Sequence, residues 1–155
     1  MASQGNALRL GPPAHKTARF TRAGESLGLS VNTIPDLIRE VMRGFSYGAL
    51  TAFETNSGVS VQSLAETIGI PERTLARRRA AGRLAPEESE RLLRLSSIFE
   101  KAVGLFEGDV SSAVQWLVTP KRTLENQTPL QYMRTEIGAR EVENLIGRLE
   151  HGVFS

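Results

Sequence analysis

Apolar residues along this chain recur at three- and four-residue steps. Most runs are bracketed by a residue type that starts or stops a helix. Ile34, Leu37, Ile38 and Val41 share one face between Thr33, Pro35 and a stop at Gly44, which predicts a short helix. Leu50 and Phe53 face inward on a second, with Ser46 as its cap and Gly58 as its end. Val61, Leu64, Ala65 and Ile68 form a stripe behind Ser60, and Gly69 and Pro71 then turn the chain into another short helix that stops at Gly82. The longest periodic segment follows Pro86, with Leu92, Leu95, Phe99, Ala102, Val103 and Phe106 on its buried face. It reads as a core helix joining the front and back of the molecule. Beyond it, Asp109 caps "VSSAVQWLV" and Pro120 stops it. Thr128 and Pro129 open a further helix, and Gly138 is expected to break that one before a last stripe of Val142, Leu145, Ile146 and Leu149. No stretch alternates as a strand does. The pattern predicts an all-α protein of roughly six to eight helices.

Residues 1–32 show no apolar period and are rich in Gly, Pro, Ser, Thr and Arg, so they are expected to form a mobile or loosely packed arm. The remainder divides into a helix-turn-helix region with its linking helix over 33–103 and a small helical domain over 104–155. A chain of 155 residues without cysteine cannot build a disulfide framework, a thiolate metal site or a cysteine nucleophile. Its two histidines, His15 and His151, lie near opposite ends, which argues against a histidine metal site. Glu87, Glu88 and Glu90 suit the first turn of a helix better than acid–base work. No catalytic set emerges, so neither an enzyme, a cofactor nor a small-molecule substrate is expected. Without a membrane-length apolar run or a signal-peptide core, the reading is a soluble cytoplasmic protein.

Charge changes the picture locally. Residues 1–103 carry 14 basic and 10 acidic side chains, residues 104–155 carry 5 and 7, so a basic front and a more acidic back point to two different partners. Five arginines crowd into Arg73 to Arg83 with no acid among them. They follow the Ala65, Gly69, Ile70 and Leu75 scaffold that a helix-turn-helix needs: a small residue where the helices touch, a glycine in the turn, and apolar locks. With Leu75 inward, Arg73, Thr74 and Arg77 point outward along the turns that enter a major groove. Arg78, Arg79 and Arg83 are placed for phosphate contacts. Arg78 stands where many such motifs have an apolar residue, and its stem is expected to pack at the helix edge. One helix-turn-helix reads one half-site, so a homodimer on partly palindromic operator DNA is expected.

The back half ends unusually. Chains mostly finish on polar residues, whereas "RLEHGVFS" puts Val153 and Phe154 at the end. Such a terminus either folds back on the core or docks into a partner.

Taken in order, "SLAETIGIPERTLARRRAAGRLAPEESERLLRL" and "AVQWLVTPKRTLENQTPLQYMRTEIGAREVENLIGRLEHGVF" closely resemble antitoxins of the Xre/MbcA/ParS family, the partners of RES-domain toxins. The resemblance spans roughly residues 37–154. It implies a helix-turn-helix that represses the antitoxin's own operon and a C-terminal domain that binds a cognate RES-domain toxin, an NAD-consuming relative of ADP-ribosyltransferases. It further implies that the chain's end lies near the toxin's active-site entrance, which makes Glu150, His151, Gly152, Val153 and Phe154 the toxin-facing candidates and favours docking of the terminus. Trp116, Pro120, Leu124, Pro129, Leu130 and Gly138 match the domain's pattern as scaffold. The competing reading is a stand-alone helix-turn-helix regulator without a toxin.

Overall fold

A computed structural model describes residues 17–152 of the chain. Its helices are α1 (Ile34–Arg43), α2 (Gly48–Ser57), α3 (Val61–Thr67), α4 (Glu72–Ala81), α5 (Pro86–Leu105), α6 (Val110–Leu117), α7 (Pro129–Tyr132) and α8 (Glu136–Glu150). Two single 3-10 turns, Glu25–Leu27 and Arg122–Leu124, complete the elements. Among the described residues strand pairing is limited to isolated bridges, so the all-α expectation holds.

The helix ends follow local chemistry. The side chains of Thr33, Ser60, Asp109, Thr128 and Thr135 each accept a backbone N–H in the first turn of the helix they cap. Ser46 does not cap α2; its hydroxyl accepts from Gly48 N at 3.0 Å, and Tyr47 takes the cap position instead. Gly138 does not break a helix either. It lies buried in the first turn of α8, where a Cβ would strike the Tyr132 carbonyl. Glycine is required there for close approach of α7 to α8, and Thr135 rather than Gly138 starts the last helix.

α5 is the axis of the molecule. It packs against α1, α2, α6, α8 and the Glu25–Leu27 turn. Leu92, Leu95, Phe99, Ala102 and Val103 are all at most 2% exposed, as their periodicity predicts; Ile98 joins them at 1%, whereas Phe106, expected on the same face, is half-buried. Phe53 of α2 meets Phe99 edge-on with ring centroids 5.1 Å apart.

The expected loose arm needs correcting for residues 17–32. Phe20 packs on Phe99 at 5.7 Å, and Ser26 and Leu27 are fully buried. Glu100 accepts from Ser26 N at 2.9 Å and from the Ser26 hydroxyl at 2.6 Å, while Asn56 donates to the Ser26 carbonyl at 2.9 Å. Burial pushes the Glu100 carboxyl up, and the Ser26 bonds only partly oppose this. Polar bonds to distant helices order this segment, and such bonds leave no apolar period to read. The remainder of the arm lies outside the described residues.

The α1 face also differs from its linear pattern. Leu37 and Val41 turn inward and are half-buried, but Ile34, Ile38 and Met42 are 66%, 55% and 69% exposed.

Candidate functional site

The front site is built on α3, its turn and α4. Val61, Leu64, Ala65, Ile68 and Ile70 are buried, and Gly69 turns the chain at φ +76°. A residue with a Cβ is strained there, which is why the turn falls at this position. Ile70 N donates to the Ala65 carbonyl at 2.8 Å and tightens the corner. From α5, Arg91 Nε donates to the Ile68 carbonyl at 2.7 Å and satisfies the end of α3. Leu75 is the single buried residue of α4. Everything else on that helix is held by polar contacts or left to solvent.

Those contacts divide the arginines. Arg78 is bidentate on Glu88 of α5, with Nε–Oε1 2.8 Å and Nη2–Oε2 3.1 Å. Glu88 also accepts from Ala85 N at 2.8 Å, closing the first turn of α5. Burial raises the Glu88 carboxyl, but the Arg78 and Ala85 bonds outweigh it and hold it below the usual range. The bond to Glu88 in turn raises the Arg78 guanidinium. Arg83 turns back over the Gly82 stop, and its Nη1 donates to the Gly44 carbonyl at 2.6 Å. Arg73, Arg77 and Arg79 are exposed, and among the described residues no carboxylate forms an ion pair with them. Thr74 lies half-buried beside Arg73. The bidentate clamp pairs residues ten apart in different helices; the apolar slot that Arg78 occupies marks it as a helix-edge residue, but not which acid it meets.

The back site is the end of α8. Val142, Leu145 and Ile146 anchor it to the core, with Gly138 and Ala139 at its start. Glu150, His151 and Gly152 are exposed at its end, and His151 Nδ1 lies 2.8 Å from the Gly147 carbonyl. Val153 and Phe154 lie outside the described residues. Elsewhere in the back half, Leu124 and Pro129 are buried and Trp116 and Leu130 half-buried, while Pro120 is exposed. Lys121 Nζ sits 4.9 Å above the Trp116 ring, and burial lowers the Lys121 ammonium. No metal-binding cluster of His, Asp or Glu occurs among the described residues, and no helix there is long and apolar enough to cross a membrane.

The chain matches two family profiles, the antitoxin Xre-like helix-turn-helix domain over residues 36–97 and the antitoxin Xre/MbcA/ParS C-terminal toxin-binding domain over residues 101–152. The antitoxin Xre of Yersinia enterocolitica serotype O:8 is 40% identical over 144 residues, covering 92% of this chain and 95% of that protein. The chain belongs to the Xre antitoxin family. The antitoxin Xre of Photorhabdus laumondii is 32% identical over 149 residues, spanning 96% of this antitoxin and 100% of its relative. A chain of the crystal structure of the M. tuberculosis MbcT–MbcA toxin–antitoxin complex covers 81% of this antitoxin and 100% of its own length at 22% identity and a TM-score of 0.47. This antitoxin therefore carries a helix-turn-helix in front and binds a toxin through its C-terminal domain, acting by binding rather than catalysis.

Proposed function

We propose that this antitoxin neutralises a RES-type, NAD-degrading toxin and represses its own operon as a homodimer on operator DNA. The observation that carries the repressor half is the division of labour on α4. Arg78 and Arg83 are committed to Glu88 and Gly44, while Arg73, Arg77 and Arg79 form no ion pair among the described residues. Arg73 and Arg77, with Thr74 beside them, read base edges. Each bidentate arginine–guanine contact is worth about 1–3 kcal/mol of discrimination. Arg79 contacts phosphate and adds affinity without sequence information. Arg78 and Arg83 hold the helix in place, with any phosphate contact secondary to that.

For the toxin half, the supporting features are the toxin-binding domain and the exposed end of α8. Glu150, His151 and Gly152 lead into Val153 and Phe154, and this tail enters the toxin's cleft as a compact plug. Buried aromatic and aliphatic anchors dominate interfaces of this kind. Co-expression with a RES-domain toxin, followed by measurement of cellular NAD, tests the assignment. NAD should be preserved with the full chain and fall when residues 150–155 are deleted. If the truncated antitoxin protects equally well, the plug is wrong. If the full chain forms no complex with any RES-domain toxin yet binds its promoter, the chain is a stand-alone regulator.

A further inference from the structure

The outward face of α1 is unexplained by either half of that function. Ile34, Ile38 and Met42 are 66%, 55% and 69% exposed and follow one another at four-residue steps, so they form a continuous apolar stripe. Soluble proteins rarely present such a stripe without a partner. The helix that carries it is otherwise well made. Thr33 caps it, Arg39 pairs with Asp36, and Arg43 pairs with Glu40 at 3.2 Å. Flanking charges neutralised within the helix leave no net charge to repel an approaching copy of the same surface.

We propose that this stripe is the homodimer contact, two α1 helices pairing antiparallel about a twofold axis through Ile38. The assignment rests on the DNA-binding reading for its purpose, and the attachment of α1 to α4 points to a second copy. An isologous interface must map onto itself. Ile38 lies midway between Ile34 and Met42, so reversing the helix sets Ile38 on its twin and Ile34 on the partner's Met42.

The location of α1 supports the same occupant. Its end is tied to the end of the recognition helix α4. Gly44, at φ +90°, lies so close to Leu84 that a Cβ would strike the Leu84 carbonyl. The Gly44 carbonyl accepts from Arg83, Leu84 N donates to Phe45 O at 2.9 Å, and Tyr47 N donates to Gly82 O at 2.9 Å. A twofold on α1 therefore fixes the relation between two α4 helices, which reading of two half-sites requires. Arg83 joins the dimer contact to the DNA-reading helix.

A helix of this length spans only about 15 Å, so the pair buries less than a standard interface and the free dimer should form in the micromolar range. Sedimentation of the full chain at up to about 100 µM, without DNA or toxin, reads this directly. The wild type should dimerise, and Ile38→Glu should weaken the dimer at least about 100-fold by burying an unpaired charge, with helicity unchanged because Ile38 is exposed. The absence of cysteine allows a second readout. Under mild oxidation, Ile38→Cys should cross-link to its twin. Ile34→Cys or Met42→Cys alone should not, since each lies roughly 12 Å from its own copy in this pairing, beyond disulfide reach. A mixture of those two variants should cross-link.

A monomeric wild type overturns the proposal, as does a dimer indifferent to Ile38→Glu. If the full chain is monomeric and dimerises only after removal of residues 1–16, the stripe belongs to the chain's own beginning and the proposal also falls. DNA binding by Arg77→Ala is measured separately, so failure of the dimer and failure of the DNA reading are distinguishable.

Discussion

Helices α4 and α8 both lie at working ends of the molecule, yet they are held in opposite ways. α8 has a buried stripe, a buried glycine that admits the neighbouring backbone, and a threonine cap, Thr135, accepting from Gly138 N at 3.0 Å. α4 has one buried residue, Leu75, and no side-chain cap. Its position depends on Arg78 with Glu88, on Arg83 with Gly44, and on the corner at Gly69. On the proposed DNA-binding role, the surface of α4 must stay polar, so it cannot also be a wide apolar face. Polar clamps from a neighbouring helix supply what packing cannot. α8, within the toxin-binding domain, keeps a buried stripe along its length, and its proposed toxin-facing candidates fall in the last few residues.

Substitutions can break this contrast at either end. The largest effect is expected from Gly138→Val. The new side chain meets the Tyr132 carbonyl, so the junction of α7 and α8 must open, and toxin binding should be lost while promoter binding survives. Pull-down of the toxin alongside fluorescence anisotropy on promoter DNA separates the two, and equal loss of both would mean the halves do not fold independently. Ile146→Ala removes core packing from α8 and should cost about 2–5 kcal/mol in urea unfolding. A cost below about 1 kcal/mol would show that α8 is not held by its stripe.

On α4 the corresponding losses appear in binding. Arg73→Ala and Arg77→Ala should each leave stability unchanged and reduce specific promoter affinity about 10- to 100-fold. Arg79→Ala should weaken specific and random duplexes alike and flatten the salt dependence. Equal behaviour of all three would remove the distinction between readers and phosphate contacts. Thr135→Ala should cost α8 about 1 kcal/mol.

The smallest effect is in pH. The folded-state value of Glu88 is depressed, so its contribution to stability is present above its unfolded value and lost as pH falls through the folded one. Glu100 has the opposite sign. Its folded value is raised, so its contribution favours the fold at low pH and is lost as pH rises through that value. Glu88→Gln should therefore reduce the acid loss of stability, whereas Glu100→Gln should remove a loss that sets in at higher pH. Thermal unfolding followed across the acidic range checks both, and identical profiles for the two variants would contradict the assignment of opposite shifts.

Much of this architecture is written in local order. The caps at Thr33, Ser60, Asp109 and Thr128, the stripe from Val61 to Ile68, the corner at Gly69 and the long α5 periodicity were legible because each depends on neighbours within one or two turns. The family resemblance was legible too, since it rests on the order of those same motifs. What the linear pattern could not assign was decided by contacts between distant elements. Periodicity put Ile34, Leu37, Ile38 and Val41 on one side of α1, but not that Leu37 and Val41 are half-buried while Ile34, Ile38 and Met42 meet solvent. The motif set Arg78 at the helix edge and Arg77 outward, but only the arrival of Glu88 on another helix decided what Arg78 meets. Likewise the sequence marks Gly138 as a breaker, whereas the Tyr132 backbone occupies the space of its missing side chain. The reason is common to all three. A residue's spacing sets its direction on its own helix, and only the packing of another helix determines what it meets there.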